Sequence, residues 1–165
     1  VGRVGYVSAM TMLQATHGQQ GSYLEIAEAI ETNSPRPTGD LHQLWRRIIF
    51  SILISNTDDH LRNHAFLHDG GDAWRLSPVF DINPNPEPGP KHLSTAIDLS
   101  DDSASISLAL SVADYFRLRA DAAREVIAQV QKAVSLWVPV ARKHGLSSHE
   151  VAAMSWAFQA HTART

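Results

Sequence analysis

The stretch that organises this sequence is Ile54-Ser-Asn-Thr-Asp-Asp-His-Leu-Arg-Asn-His-Ala-Phe-Leu67. Its polar residues lie between two apolar runs, at positions where a buried core normally contains none. A second segment, Trp74-Arg-Leu-Ser-Pro-Val-Phe-Asp-Ile82, follows it and carries a further aspartate, Asp81. Polar residues placed in this way indicate a functional site that is supported by the surrounding core.

The spacing of three residues in these segments indicates the chemistry. Asp58 precedes Asn63 by five positions and Asp81 by 23 positions. Protein kinases carry their catalytic base and a Mg²⁺-binding asparagine in the loop H-R-D-x-x-x-x-N, and a later aspartate also binds Mg²⁺. Mg²⁺ is usually held by one or two carboxylates together with substrate phosphates and water. The pattern therefore predicts a phosphoryl-transfer site.

Several segments of the chain resemble one kinase family. Asn56–Asn63 and Leu76–Pro84 closely resemble the HipA-like kinases, which are the toxins of bacterial toxin-antitoxin pairs. Val7–Leu13, Gly21–Ile30 and His92–Ile97 are similar to the C-terminal region of the same family. The resemblance therefore extends over nearly the whole chain.

This resemblance implies a function and a set of site residues. It implies a serine/threonine protein kinase that uses ATP and Mg²⁺, with Asp58 as the catalytic base. Asn63 and Asp81 are then the Mg²⁺ ligands, and His60 is grouped with them as a cofactor-binding residue that orders the loop through hydrogen bonds. The resemblance also implies a separate DNA-binding antitoxin as partner and, in known cases, an aminoacyl-tRNA synthetase as substrate.

Parts that a complete kinase needs are missing from the sequence. There is no glycine-rich nucleotide loop, no strand lysine and no room for an N-lobe ahead of Val1. We therefore expect residues 1–165 to be the C-terminal lobe of a longer protein. By itself this lobe is expected to bind ATP weakly and to be inactive.

Composition limits the remaining classes of function. The chain is 44% hydrophobic and 19% charged, which is ordinary for one soluble globular domain. Its formal charge of -3 predicts no direct binding of nucleic acid. The absence of cysteine excludes disulfides and thiolate metal sites. No apolar run approaches the roughly 20 residues of a membrane span, so a cytoplasmic protein is expected.

Two alternatives from other classes remain open at this stage. His60 and His64 are four residues apart, as in the zinc motif H-E-x-x-H, and together with the aspartates they would suit a metal-dependent hydrolase. Against this, Leu61 stands where that motif has its glutamate. The second alternative is a non-catalytic binding module derived from a kinase. Asp59 lies four residues before Asn63, not five, and is predicted to be solvated or to cap a helix.

The hydrophobic pattern predicts a mainly α fold with a small β-hairpin. The family resemblance implies that this fold is the helical C-lobe of a kinase. Asp40 and Ser103 are predicted helix caps, Pro139 a kink, and Trp45, Trp137 and Trp156 core residues. Four prolines between Ile82 and His92 predict a loop. The predicted helices are Ser8–Ala15, Tyr23–Glu31, Leu41–Ile54, Ser105–Tyr115, Asp121–Lys143 and His149–Ala160, and the predicted strands are Ala65–His68 and Trp74–Ser77.

Overall fold

A computed structural model describes residues 2–16 and 18–161, and it confirms a mainly helical fold with a small antiparallel sheet. The α-helices are α1 (Ala9–Met12), α2 (Tyr23–Asn33), α3 (Pro37–Leu53), α4 (Ile106–Ser111), α5 (Ala120–Val134), α6 (Trp137–Lys143) and α7 (Ser148–Met154). Short 3₁₀ helices span Leu61–Asn63, Ala113–Phe116 and Ser155–His161. Capping boxes begin α2 and α7, as their Ser-x-x-Glu patterns predict.

The sheet contains three strands in the order β1 (Tyr6–Ser8), β2 (Ala65–His68) and β3 (Trp74–Leu76). Strands β2 and β3 form the predicted hairpin, in which Phe66 lies opposite Leu76. Strand β1 pairs with the other edge of β2 and was not predicted. Three residues are too few to show an alternating pattern, and their partner strand lies about 60 positions further along the chain.

Helix α3 forms the centre of the core. Its apolar residues recur at intervals of three and four positions, which is typical of a helix with one buried face. All of these residues are buried: Leu41, Leu44, Trp45, Ile48, Ile49, Ile52 and Leu53. The ring of Trp45 contacts that of Phe116, with centroids 5.5 Å apart. Burial of each such side chain stabilises the fold by about 1.5–3 kcal/mol, so the helix is a rigid support for the loop that follows it.

The start of α3 differs from the prediction. The helix begins at Pro37, because proline fits the first helical position, where its missing N–H would have no partner. Asp40 therefore lies within the first turn and is not the cap. Its carboxylate instead accepts hydrogen bonds from the backbone N–H of Leu76, at 2.9 Å, and from the hydroxyl of Ser34, at 2.7 Å. Asp40 thus ties α3 to strand β3.

Helix α3 ends in a sharp turn made by Ser55, whose φ is +54°. The backbone N–H of Ser55 bonds the carbonyl of Ile52, and that of Asn56 bonds the carbonyl of Ser51. This pair of bonds is the Schellman ending, which usually places glycine at the position that Ser55 occupies. A strained serine here turns the chain directly from the helix into the loop at Asn56.

The C-terminal half also departs from the prediction at several places. Ser105, and not Ser103, caps α4, and this helix ends at Ser111 because a 3₁₀ turn follows it. The predicted helix Asp121–Lys143 is two helices, α5 and α6, which are separated at residues 135–136. Proline is tolerated in a first turn, so Pro139 lies inside α6 and does not mark the break. Trp156 is 46% exposed and is not a core residue. It lies beyond the end of α7, in the 3₁₀ helix Ser155–His161.

The proline-containing segment between Ile82 and His92 has neither helix nor strand, as predicted. It is nevertheless attached to the domain. The backbone N–H of Asn85 donates to the carbonyl of Ser55 at 3.0 Å, and Nδ2 of Asn85 donates to Oγ1 of Thr57 at 2.9 Å. No helix within residues 2–16 and 18–161 combines the length and apolar character needed to cross a membrane.

Candidate functional site

Asp58 and Asn63 lie at the two ends of one tight loop that leaves α3 and enters β2. Asn63 is buried, and its side-chain Nδ2 donates a hydrogen bond to the backbone carbonyl of Asp58 at 3.0 Å. The Asp58 side chain is exposed, and its carboxylate has no hydrogen-bond or ionic partner in the described part of the chain. The loop therefore fixes the backbone of Asp58 and leaves its carboxylate exposed to solvent.

The neighbouring Asp59 has the opposite environment. It is only 4% exposed, and its carboxylate accepts hydrogen bonds from the hydroxyl of Tyr23 on α2 and that of Ser51 on α3. Nε2 of His64 lies 3.1 Å from Oδ1 of Asp59, which is close enough for an ion pair, although the ring is not aligned for a regular hydrogen bond. The prediction that Asp59 is solvated or caps a helix is wrong, because its side chain joins three elements inside the core.

The electrostatics of Asp59 follow from these partners. Burial acts to raise the pKa of the carboxyl, but His64, Tyr23 and Ser51 stabilise the charged form more strongly, so its pKa lies below the usual value. Burial and the adjacent carboxylate raise the pKa of Tyr23 well above its usual value. Tyr23 therefore remains a neutral hydrogen-bond donor, and Asp59 remains an anion at neutral pH.

Backbone contacts hold the same loop from its other side. The carbonyl of Thr57 accepts hydrogen bonds from the N–H and the hydroxyl of Ser94, at 3.0 and 2.9 Å. The carbonyl of Asp59 accepts one from the hydroxyl of Thr95 at 2.6 Å. Residues 94–95 thus clamp the residues on either side of Asp58, which stabilises its exposed position.

Asp81 lies beyond the hairpin in a strained conformation, with φ of +53°. Aspartate tolerates this left-handed region better than most residues, and such strain often occurs at functional sites. The exposed Asp81 carboxylate accepts a hydrogen bond from Nδ2 of Asn83 at 2.8 Å. The backbone N–H of Asn83 in turn bonds Oδ1 of Asn56 at 3.2 Å. Asp81 is therefore joined through two residues to the loop that carries Asp58.

The two histidines do not form the arrangement that a zinc motif requires. The segment between them is a single 3₁₀ turn, Leu61–Asn63, and not an α-helix, so His60 and His64 do not share a helical face. Nδ1 of His60 is buried without a hydrogen-bond partner in the described part of the chain. No hydrogen bond of the His60 ring is seen within the described residues, so its part in ordering the loop and binding a cofactor stays a prediction, and the ring lines a cavity of about 380 Å³.

The residues that remain suit magnesium better than zinc. Nδ2 of Asn63 donates its hydrogen bond to the carbonyl of Asp58, so the amide oxygen of Asn63 remains available as a ligand. Asp81 would supply a carboxylate, and oxygen ligands from one or two side chains are what Mg²⁺ usually takes from a protein. Within residues 2–16 and 18–161, no group of three or more histidines, cysteines or acidic residues is placed to hold a metal ion. Any metal would thus depend on phosphate and water for its other ligands.

The residues that connect these segments, namely Tyr23, Ser51, Asn56 and Asn83, were not predicted from the sequence. Ser51 did carry a signal, since it is a polar residue among the apolar residues at the end of α3. A buried hydroxyl there needs a partner. The identity of that partner depends on contacts between distant parts of the chain.

Comparison with known proteins places these features in a family. Residues 2–137 match the model of the HipA-like C-terminal domain. A Haemophilus influenzae protein named "Putative kinase" is 33% identical over 76 residues, which cover 44% of this chain and 22% of that protein.

A solved structure has the same fold. It is HipA from the Shewanella oneidensis MR-1 toxin-antitoxin system, in a complex with HipB and operator DNA. The TM-score is 0.79 at 12% identity, with 97% of this chain and 43% of that chain covered. At such low identity the match is evidence for the fold alone. The chain thus spans less than half the length of either relative.

Proposed function

The chain belongs to the HipA-like C-terminal domain family, and we propose that it is the catalytic lobe of a serine/threonine protein kinase. The proposed reaction transfers the γ-phosphoryl group of ATP to a protein hydroxyl. One observation carries this proposal: the exposed carboxylate of Asp58, which has no partner among the described residues, is fixed at its backbone by the buried Asn63. A catalytic group needs this combination of a rigid mount and a free functional end.

Asp58 is the proposed base. Its carboxylate accepts the proton of the acceptor hydroxyl as the new oxygen-phosphorus bond forms and the bond to the β-phosphate oxygen breaks, which releases ADP. Asn63 and Asp81 would hold Mg²⁺, which neutralises charge on the phosphates when it is bound. The protein's own contribution is mainly the positioning of these groups.

The partner and substrate follow from the family. We propose a DNA-binding antitoxin as the partner, supported by the solved HipA relative, which is in a complex with HipB and operator DNA. A formal charge of -3 is consistent with DNA contacts being made by the partner. A protein hydroxyl, such as one on an aminoacyl-tRNA synthetase, is the proposed acceptor, and the cytoplasm is the proposed location.

The two alternatives receive less support. A zinc hydrolase needs His60 and His64 on one face, whereas His64 is buried against Asp59. A non-catalytic module has no need of an exposed Asp58 together with Asn63 and Asp81.

The test uses the full-length protein with labelled ATP, Mg²⁺ and extract proteins as acceptors. Asp81→Asn is a suitable variant because asparagine also tolerates the left-handed backbone of residue 81. We expect the variant to transfer phosphate poorly at low Mg²⁺ and to recover part of the rate at high Mg²⁺, since mass action compensates for a weakened ligand. Asp72→Asn, which removes an exposed charge from the hairpin turn, is the matched control.

Each result separates the proposals. A wild-type protein that neither binds ATP with Mg²⁺ nor labels any acceptor would contradict the kinase and favour a binding module. An Asp81→Asn rate that is low at every Mg²⁺ concentration, with binding of nucleotide unchanged, would contradict the metal role of Asp81.

A further inference from the structure

The side chain of Asn56 connects the two segments that carry the proposed catalytic residues. Asn56 is 1% exposed and lies two residues before Asp58. Its Oδ1 accepts the backbone N–H of Asn83 at 3.2 Å, and Nδ2 of Asn83 donates to Oδ1 of Asp81 at 2.8 Å. The buried amide of Asn56 is therefore joined to the carboxylate of Asp81 through a single residue, Asn83.

The orientation of the Asn56 amide is set from inside the core. Its Nδ2 donates to the hydroxyl of Ser51 at 3.3 Å, and that hydroxyl donates to Oδ2 of Asp59 at 3.3 Å. A hydroxyl has one proton. Because the Ser51 hydroxyl donates its proton to the Asp59 carboxylate, its oxygen can only accept a hydrogen bond from Asn56. The amide must then present its nitrogen to Ser51 and its oxygen to the N–H of Asn83.

If the side-chain amide of Asn56 were rotated by 180°, neither of its two contacts could form a hydrogen bond. The NH₂ group would meet the N–H of Asn83, and the amide oxygen would meet a hydroxyl oxygen whose proton is already committed to Asp59. Unpaired buried groups of this kind cost about 1–3 kcal/mol each. The buried charge of Asp59 thus fixes the direction of every bond along this path as far as Asn83.

We propose that Asn56 is a positioning residue that sets the place of Asp81 relative to Asp58 and Asn63. This role rests on the proposed kinase function. A second pair of contacts, from the N–H of Asn85 to the carbonyl of Ser55 and from Nδ2 of Asn85 to Oγ1 of Thr57, holds the same segment further from Asp81. Loss of the Asn56 contact should therefore loosen Asp81 without releasing the whole segment.

The test compares Asn56→Ala with Asn33→Ala in the full-length protein. Asn33 is a matched control because its Nδ2 also makes one hydrogen bond, to the carbonyl of Ala29 at 2.8 Å, but within α2. Asn83→Ala is a second variant that is safe for folding, since the residue is exposed, and it removes the bond to Asp81.

Two measurements are needed, and one of them requires no nucleotide. Hydrogen-exchange mass spectrometry of the peptide that contains Asn83 should show exchange roughly tenfold faster in Asn56→Ala and unchanged in Asn33→Ala. The Mg²⁺ concentration for half-maximal binding of a non-hydrolysable ATP analogue should rise roughly 3- to 10-fold in Asn56→Ala and Asn83→Ala, which corresponds to the loss of about one hydrogen bond.

The outcomes are distinct. Unchanged exchange at Asn83 in Asn56→Ala would overturn the connection itself. Binding of the analogue with an unshifted Mg²⁺ requirement in both Asn56→Ala and Asn83→Ala would overturn the positioning role alone. A wild-type protein that binds no analogue at any Mg²⁺ concentration would overturn the proposed kinase function, and with it this role of Asn56.

Discussion

Asp58 and Asp59 are adjacent residues of the same type in opposite environments. The carboxylate of Asp58 is exposed and has no partner within residues 2–16 and 18–161, whereas that of Asp59 is buried and contacts Tyr23, Ser51 and His64. The inner face of this loop, with Asp59, anchors it to the core, and the outer face presents Asp58 to solvent, where we propose that it acts as the base. Residue type and spacing alone do not separate these roles, because burial and partners decide them.

The largest expected effect is the loss of phosphoryl transfer when Asp58, on the exposed side of the loop, is replaced. Asp58→Asn keeps the shape of the side chain but removes the proton acceptor, so the transfer rate in the full-length protein should fall by roughly 10²–10⁴-fold. Binding of ATP with Mg²⁺ should stay near wild type, because the metal ligands are unchanged. Rapid-quench assays and calorimetry measure the two quantities. A parallel loss of nucleotide binding would show that Asp58 is not mainly a base.

The next effect is on stability and concerns the inner face. Asp59→Ala leaves the hydroxyls of Tyr23 and Ser51 buried without their acceptor, and should lower the free energy of unfolding by about 2–4 kcal/mol. Asp58→Ala is the matched control and should change it by less than about 0.5 kcal/mol. Urea denaturation measures both. Equal losses for the two variants would contradict the difference in burial on which the comparison rests.

The smallest expected effect concerns pH. The pKa of Asp59 is lower in the folded protein than its unfolded value of about 3.9. Its stabilising contribution is therefore complete above that value and is lost as the pH falls through the folded pKa. The difference in unfolding free energy between wild type and Asp59→Asn should shrink on acidification from pH 7 towards this range. A difference that stays constant or grows would mean that the pKa of Asp59 is not lowered by folding.

Local signals account for the parts of the fold that the sequence predicted. The capping box of Ser22 and Glu25 and the repeat along α3 involve neighbours within a few positions. The hairpin of β2 and β3 is joined by a short turn and is equally local. Such features can be recognised from residue type and spacing alone.

Several of the errors have non-local causes. Strand β1 pairs with a strand about 60 positions away, and Asp40 bonds Leu76 across the fold instead of capping its own helix. The hydroxyl donors to Asp59 come from two different helices, α2 and α3. The spacing Asp58-x-x-x-x-Asn63 predicted a candidate site, but the anchoring residues around it depend on tertiary contacts that spacing does not encode.

The proposed roles, with Asp58 as the base and Asp59 as the anchor, are tested most directly by the ratio of two phosphoryl-transfer rates, that of Asp59→Asn to that of Asp58→Asn. Both are measured in the full-length protein with ATP and Mg²⁺, well below the melting temperature of either variant. If Asp58 is the base and Asp59 the anchor, Asp59→Asn should be faster by more than about tenfold although it is the less stable protein. A folded Asp59→Asn that transfers no phosphate, beside an Asp58→Asn of near-normal rate, would contradict the account and shift the catalytic position by one residue.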